Sequence, residues 1–76
     1  MLRTDADIIV QALKTAKGTL GELKRGYVQF DSADSASKAD GQLLGTALGI
    51  PIIRLASLAD GKYVYRDWAG NVLASN

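Results

Sequence analysis

The chain has neither cysteine nor histidine among its 76 residues. Without cysteine, no disulfide staples the fold, no thiolate binds a metal, and redox chemistry says nothing about compartment. Packing alone must hold the domain together. Without histidine, the side chain best suited to acid–base work near neutral pH is missing, and no Cys or Ser–His pair is present to act as a nucleophile. The expectation is a protein that is not an enzyme and carries no cofactor and no metal. No apolar run approaches the ~20 residues of a membrane span. The opening Met1-Leu2-Arg3-Thr4-Asp5 also lacks the basic-then-apolar order of a signal peptide, so a cytoplasmic location is expected. A large excess of one charge is absent too. Nine basic and eight acidic side chains leave a net charge of +1, too balanced for the whole-surface attraction of strongly basic nucleic-acid binders.

What the chain does contain is an ordinary globular composition, 47% hydrophobic and 22% charged, which argues against disorder. Its length allows a single domain, residues 1–76, in the size range where one core is only just sufficient. Charge is unevenly placed. Residues 14–25 carry Lys14, Lys17, Lys24 and Arg25 against Glu22, whereas 31–40 carry Asp31, Asp34 and Asp40 against Lys38. A basic segment beside an acidic one suits a protein partner at least as well as a phosphate backbone.

Thr4 or Asp5 caps a first helix, with Asp5 and Asp7 in the turn where the helix dipole favours carboxylates. Ile9, Leu13, Ala16, Leu20 and Leu23 recur at helical spacing. Lys17-Gly18 reads as a helix end, and Thr19 with Glu22 as a capping box. The pattern therefore predicts helices over about 5–17 and 19–25, or one kinked helix. Residues 27–30 read as a strand. Ser32 or Asp34 then caps a second helix reaching to about Leu48, broken at 38–42 if Gly41 and Gly45 weaken it. Pro51 forbids its continuation. From Ile50 the period becomes extended: Ile52–Ala56 and Lys62–Arg66 flank a turn at Asp60-Gly61, and Val72–Ala74 follows a second turn. No internal repeat or linker is evident. The fold expected is α+β in two layers: an N-terminal helix, a short strand, a second helix, then a C-terminal three-stranded antiparallel meander.

The stretch Arg25-Gly26-Tyr27-Val28-Gln29-Phe30 places Arg25, Tyr27 and Gln29 on one side of a strand and Val28 and Phe30 on the other. Together with Leu43-Leu44-Gly45-Thr46-Ala47-Leu48 and Ile50-Pro51-Ile52-Ile53-Arg54-Leu55, it resembles the third strand, second helix and last strand of the RNA-recognition motif over about residues 25–56. The ends of that family's octapeptide are present; its two central residues and the first-strand hexapeptide are not. The resemblance implies Arg25 on a phosphate and Tyr27 on a base. Independently of it, Tyr27, Tyr63 and Tyr65 make an aromatic platform if their strands share a sheet face, with Arg25, Lys62 and Arg54 around it. The alternative is that Tyr63 and Tyr65 flank Val64 because sheets favour aromatic residues.

The candidate nucleic-acid-binding residues are thus Arg25, Tyr27, Gln29, Tyr63 and Tyr65, and the expected function is a small non-enzymatic module for single-stranded RNA or DNA. Trp68, in a turn beside Gly70, is the candidate protein-interaction residue, because tryptophan is enriched in binding hot spots; otherwise it closes one end of the core. The alternative function is a protein-binding adaptor or inhibitor, of the compact type that phages and mobile elements encode, or a homodimer formed through an open sheet edge. Ser35-x-x-Lys38 matches penicillin-recognising enzymes in letters only. Asp31, Asp34 and Asp40 lack the ligand spacing of a calcium loop.

Overall fold

The computed structural model describes residues 3–76. It is an α+β domain with one helix and one five-stranded sheet, in chain order α1 Arg3–Leu20, β1 Gly26–Phe30, β2 Leu43–Ala47, β3 Ile50–Arg54, β4 Tyr63–Asp67 and β5 Val72–Ser75. Among the described residues no helix is long and apolar enough to cross a membrane.

Helix α1 follows the apolar stripe. Ile9, Leu13 and Ala16 are buried against the sheet, and Leu20 packs partly beside them. The helix runs three residues past the end expected at Lys17, since docking Leu20 on the core outweighs the roughly 1 kcal/mol that Gly18 costs. It ends where Gly21 takes φ +85°. The second short helix does not form. The Thr19 hydroxyl donates back to the Thr15 carbonyl at 3.2 Å instead of capping a new turn. Leu23 still reaches the core, from an irregular segment.

The helix expected between Ser32 and Leu48 is likewise absent. Residues 32–38 form successive tight turns, closed by Ser35 N to Ser32 O at 3.1 Å and Lys38 N to Ser35 O at 3.0 Å. A polar cluster fixes them in place of a helix cap. Ser32 Oγ donates to Asp5 Oδ2 on α1 at 2.7 Å, and Ser32 N donates to Ser35 Oγ at 3.0 Å. Arg54 Nε donates to Asp31 Oδ1 at 3.0 Å, and its Nη1 donates to the Lys38 carbonyl. Ser35 is 1% exposed, so its hydroxyl is a structural bridge out of reach of a substrate. Downstream, Leu43–Ala47 is strand β2, and Leu48 and Gly49, with φ +51° and +77°, make the two-residue turn into β3.

The sheet order is β2-β3-β1-β4-β5. The expected meander is corrected here: β3 and β4 are not neighbours, because β1 lies between them, parallel to β3 and antiparallel to β4. Val28 and Phe30 on β1 are fully buried, and the most buried strand takes the centre. The loop from β3 to β4 crosses the end of β1, where Leu55 N donates to Phe30 O and Gly61 N to Asp31 O. Gly26 admits the close approach of β4: a Cβ there would stand 1.9 Å from the Arg66 carbonyl oxygen.

The two outer hairpins share a signature that the sequence reading missed. Ser37-Lys38-Ala39-Asp40-Gly41 introduces β2-β3, and Ser57-Leu58-Ala59-Asp60-Gly61 introduces β4-β5. Each Asp accepts a backbone N–H from another segment: Asp40 Oδ1 from Ala56 at 2.9 Å, and Asp60 Oδ1 from Ala33 at 2.8 Å. Leu-Ala-Ser recurs at 55–57 and at 73–75. A repeated entry turn thus starts a hairpin on each side of β1.

Candidate functional site

Strand pairing assigns each side chain to a face, since registered partners point the same way and neighbours alternate. Val28, Ile52 and Tyr65 share a rung, and all three are buried under α1 with Ile9, Leu13, Phe30, Ala47 and Ile50. Among the described residues no helix lies over the opposite face. Its first rung reads Thr46, Pro51, Tyr27, Arg66, Val72 across the sheet, and its second reads Leu43, Ile53, Gln29, Val64, Ser75.

Tyr27 sits at the centre of the first rung, and Trp68 from the β4-β5 turn lies against it. Their ring centroids are 5.2 Å apart with planes inclined by 34°, within the range of favourable aromatic pairs. Trp68 nonetheless remains 65% exposed. Its turn is tightly organised by Asp67. That carboxylate accepts Ala69 N at 3.0 Å, Asn71 N at 2.9 Å and Asn71 Nδ2 at 3.1 Å, and these bonds hold its pKa below the ordinary carboxylate value. The aromatic pair is therefore presented by a braced turn.

Arg66, directly across from Tyr27, ties that turn to the sheet. Its Nε donates to Gln29 Oε1 at 2.8 Å and its Nη1 to the Gly70 carbonyl at 2.9 Å. Beyond the first rung lies a cleft of about 430 Å³ lined by Leu23–Gly26, Leu48–Pro51 and Trp68. Lys24 and Arg25 bring two cations to this cleft, and both are exposed. Arrayed together, these groups offer stacking surface, fixed hydrogen-bond donors and positive charge. None of them forms a nucleophile–base pair. Among the described residues no group of His, Cys, Asp or Glu could hold a metal ion.

The expected site residues separate into two sets. Arg25, Tyr27 and Gln29 lie together on or beside the open face. Tyr63 and Tyr65 do not join them, and the three-tyrosine platform is corrected accordingly. Tyr65 is fully buried, and its hydroxyl donates to the Lys24 carbonyl. Tyr63 packs against the core and lines a separate groove with Asp7, Ile8, Gln11, Ala12, Thr15 and Asn76. The reason is register: Val28↔Tyr65 and Phe30↔Tyr63 place both rings on the helix side. Trp68 takes the position opposite Tyr27 that the other tyrosines were expected to fill.

Sequence reasoning did not name Arg66, Lys24, Pro51 or Leu48 as site residues. Alternation along Tyr63-Val64-Tyr65-Arg66 already put Arg66 on the face away from the tyrosines. That was the available signal. Comparison of the chain with family models, with curated proteins and with solved structures finds no match.

Proposed function

We propose that the protein is a non-enzymatic module that binds single-stranded RNA or DNA on its open sheet face. The observation that carries this reading is the Tyr27–Trp68 pair, braced from the Asp67 turn and flanked by Lys24, Arg25 and Arg66. Stacking contributes about 1–3 kcal/mol per base and is indifferent to sequence, while the cations meet phosphates. The reading rests on this face and not on common descent with the RNA-recognition motif. Only a few cations are involved, so affinity is modest and its salt response shallow. Neutralising two or three phosphates weakens single-strand binding about 7- to 20-fold between about 50 and 200 mM salt.

The test is a titration with mixed single-stranded oligonucleotides at those two salt concentrations, read by quenching of the single tryptophan. Quenching that weakens with salt as above, and at least about 5-fold on Tyr27→Ala, supports the reading. Absence of quenching at tens of micromolar protein overturns it.

A second reading, a protein partner or a second copy of this chain, is favoured by the flanks of the same face. Leu43 at one edge is 58% exposed and Val72 at the other 54%, with Ile53 and Val64 between them. Docking of two such faces would appear as twice the monomer mass in solution, lost on Leu43→Glu.

A further inference from the structure

The hydrogen bonding of Gln29 and Arg66 carries a further consequence if bases do stack on Tyr27, and it rests on that reading. Arginine has five N–H donors and no acceptor. Its Nε–H is given to Gln29 Oε1 and one Nη1 hydrogen to the Gly70 carbonyl. The remaining hydrogens, on Nη1 and Nη2, stay as donors. Because Arg66 can only donate, Gln29 must turn its oxygen toward it, which fixes the amide orientation. Among the described residues the Gln29 amide nitrogen has no protein partner, so it too presents donors. The polar side chains next to Tyr27 on this face, one directly across from it and one two residues along the same strand, are thus rich in donors; their one acceptor, Gln29 Oε1, is already engaged by Arg66 Nε and keeps a single lone pair.

We propose that this donor-rich edge makes the face prefer guanine. A base stacked on Tyr27 and Trp68 turns its rim toward Gln29 and Arg66, and guanine offers O6 and N7 as adjacent acceptors with no donor between or beside them on that edge. A guanidinium is the commonest partner of this pair of atoms. Adenine sets its N6 amino donor beside N7. Uracil and thymine interrupt their two carbonyls with an N3–H donor. Cytosine follows O2 and N3 with an amino group. Each of these brings a donor to an edge where donors outnumber the one remaining lone pair, on Gln29 Oε1.

The experiment uses the full chain and four thymidine-based oligonucleotides of about 10 nucleotides, identical except for one central guanine, adenine, cytosine or thymine, titrated at about 50 mM salt. The expected result is tightest binding to the guanine strand, by at least about 5-fold over each of the others. Gln29→Met, of similar shape but without donors, should reduce that preference, and Gln29→Glu should abolish it. Circular dichroism and thermal melting of both variants establish that they remain folded. Equal binding to all four strands, or tightest binding to a base other than guanine, overturns the guanine preference while leaving the nucleic-acid reading standing. Preference that persists undiminished in both folded variants overturns the role of Gln29. No binding to any strand overturns both.

Discussion

Tyr65→Phe separates a core tyrosine from a ligand-stacking one, and its size follows from two contacts. The ring is fully buried on the rung of Val28 and Ile52, and the hydroxyl donates to the Lys24 carbonyl. Phenylalanine keeps the ring and removes one hydrogen bond, a net loss of about 0.5–1.5 kcal/mol. The bond is part-buried, beside the exposed Lys24, and we expect about 1 kcal/mol. For a domain of this size that is a fall in Tm of about 4–8 °C. Tyr65→Ala removes the ring as well and should cost about 3–5 kcal/mol, much of the roughly 4–11 kcal/mol expected for a domain of this length. Burial also raises the Tyr65 pKa above its ordinary value of 10.0. The folded state therefore favours the neutral phenol, and the stability it contributes is complete below pH 10.0 and is lost as pH rises through the raised value. Urea melts of the two variants, with an alkaline titration of phenolate absorbance, make the assay. A Tyr65→Ala protein as stable as the parent, together with a parent in which no phenol ionises late, would refute the face assignment and return Tyr65 to the ligand side.

Other outcomes follow from single residues. Leu48 holds φ +51° in the β2-β3 turn and is half exposed, so Leu48→Asn should stabilise the fold by about 1 kcal/mol, as a thermal melt would register. Gly26→Ala drives a Cβ into the Arg66 carbonyl and should cost at least about 2–3 kcal/mol, measured by urea unfolding. The Asp31 carboxyl is held below 3.8, first by the hydrogen bond from Arg54. Its contribution is present above 3.8 and is lost as pH falls through the lowered value, so Arg54→Met should flatten the acid limb of the stability–pH curve.

The local pattern of the sequence was a good guide wherever packing followed it. Ile9, Leu13 and Ala16 announced α1, and the alternation of Tyr27-Val28-Gln29-Phe30 announced a strand with one buried face. Leu43-Leu44-Gly45-Thr46-Ala47-Leu48 was misread because a short apolar run fits a helix or a strand equally. Its strand state comes from pairing with β3 and from the Leu48-Gly49 turn. The position of β1 between two later hairpins depends on contacts distant in sequence, which no local window contains. The paired Ser-x-Ala-Asp-Gly turns were legible and were overlooked.

The site was legible in part for the same reason. Alternation grouped Arg25, Tyr27 and Gln29, and it grouped Tyr63 with Tyr65, but it did not say which face the second pair would take. Tyr65 goes inward because its partner across the ladder is Val28, the buried side of β1. Trp68 meets Tyr27 only through the β4-β5 turn and the Arg66 tie to Gln29.

The most direct test of the account is a map of backbone amide NMR shifts as mixed single-stranded oligonucleotide is added to the protein. The account predicts movement concentrated at residues 24–29 and 66–71, with the groove of Ile8, Gln11 and Tyr63 on the helix side silent. Shifts confined to that groove, or none on the open face, would contradict it.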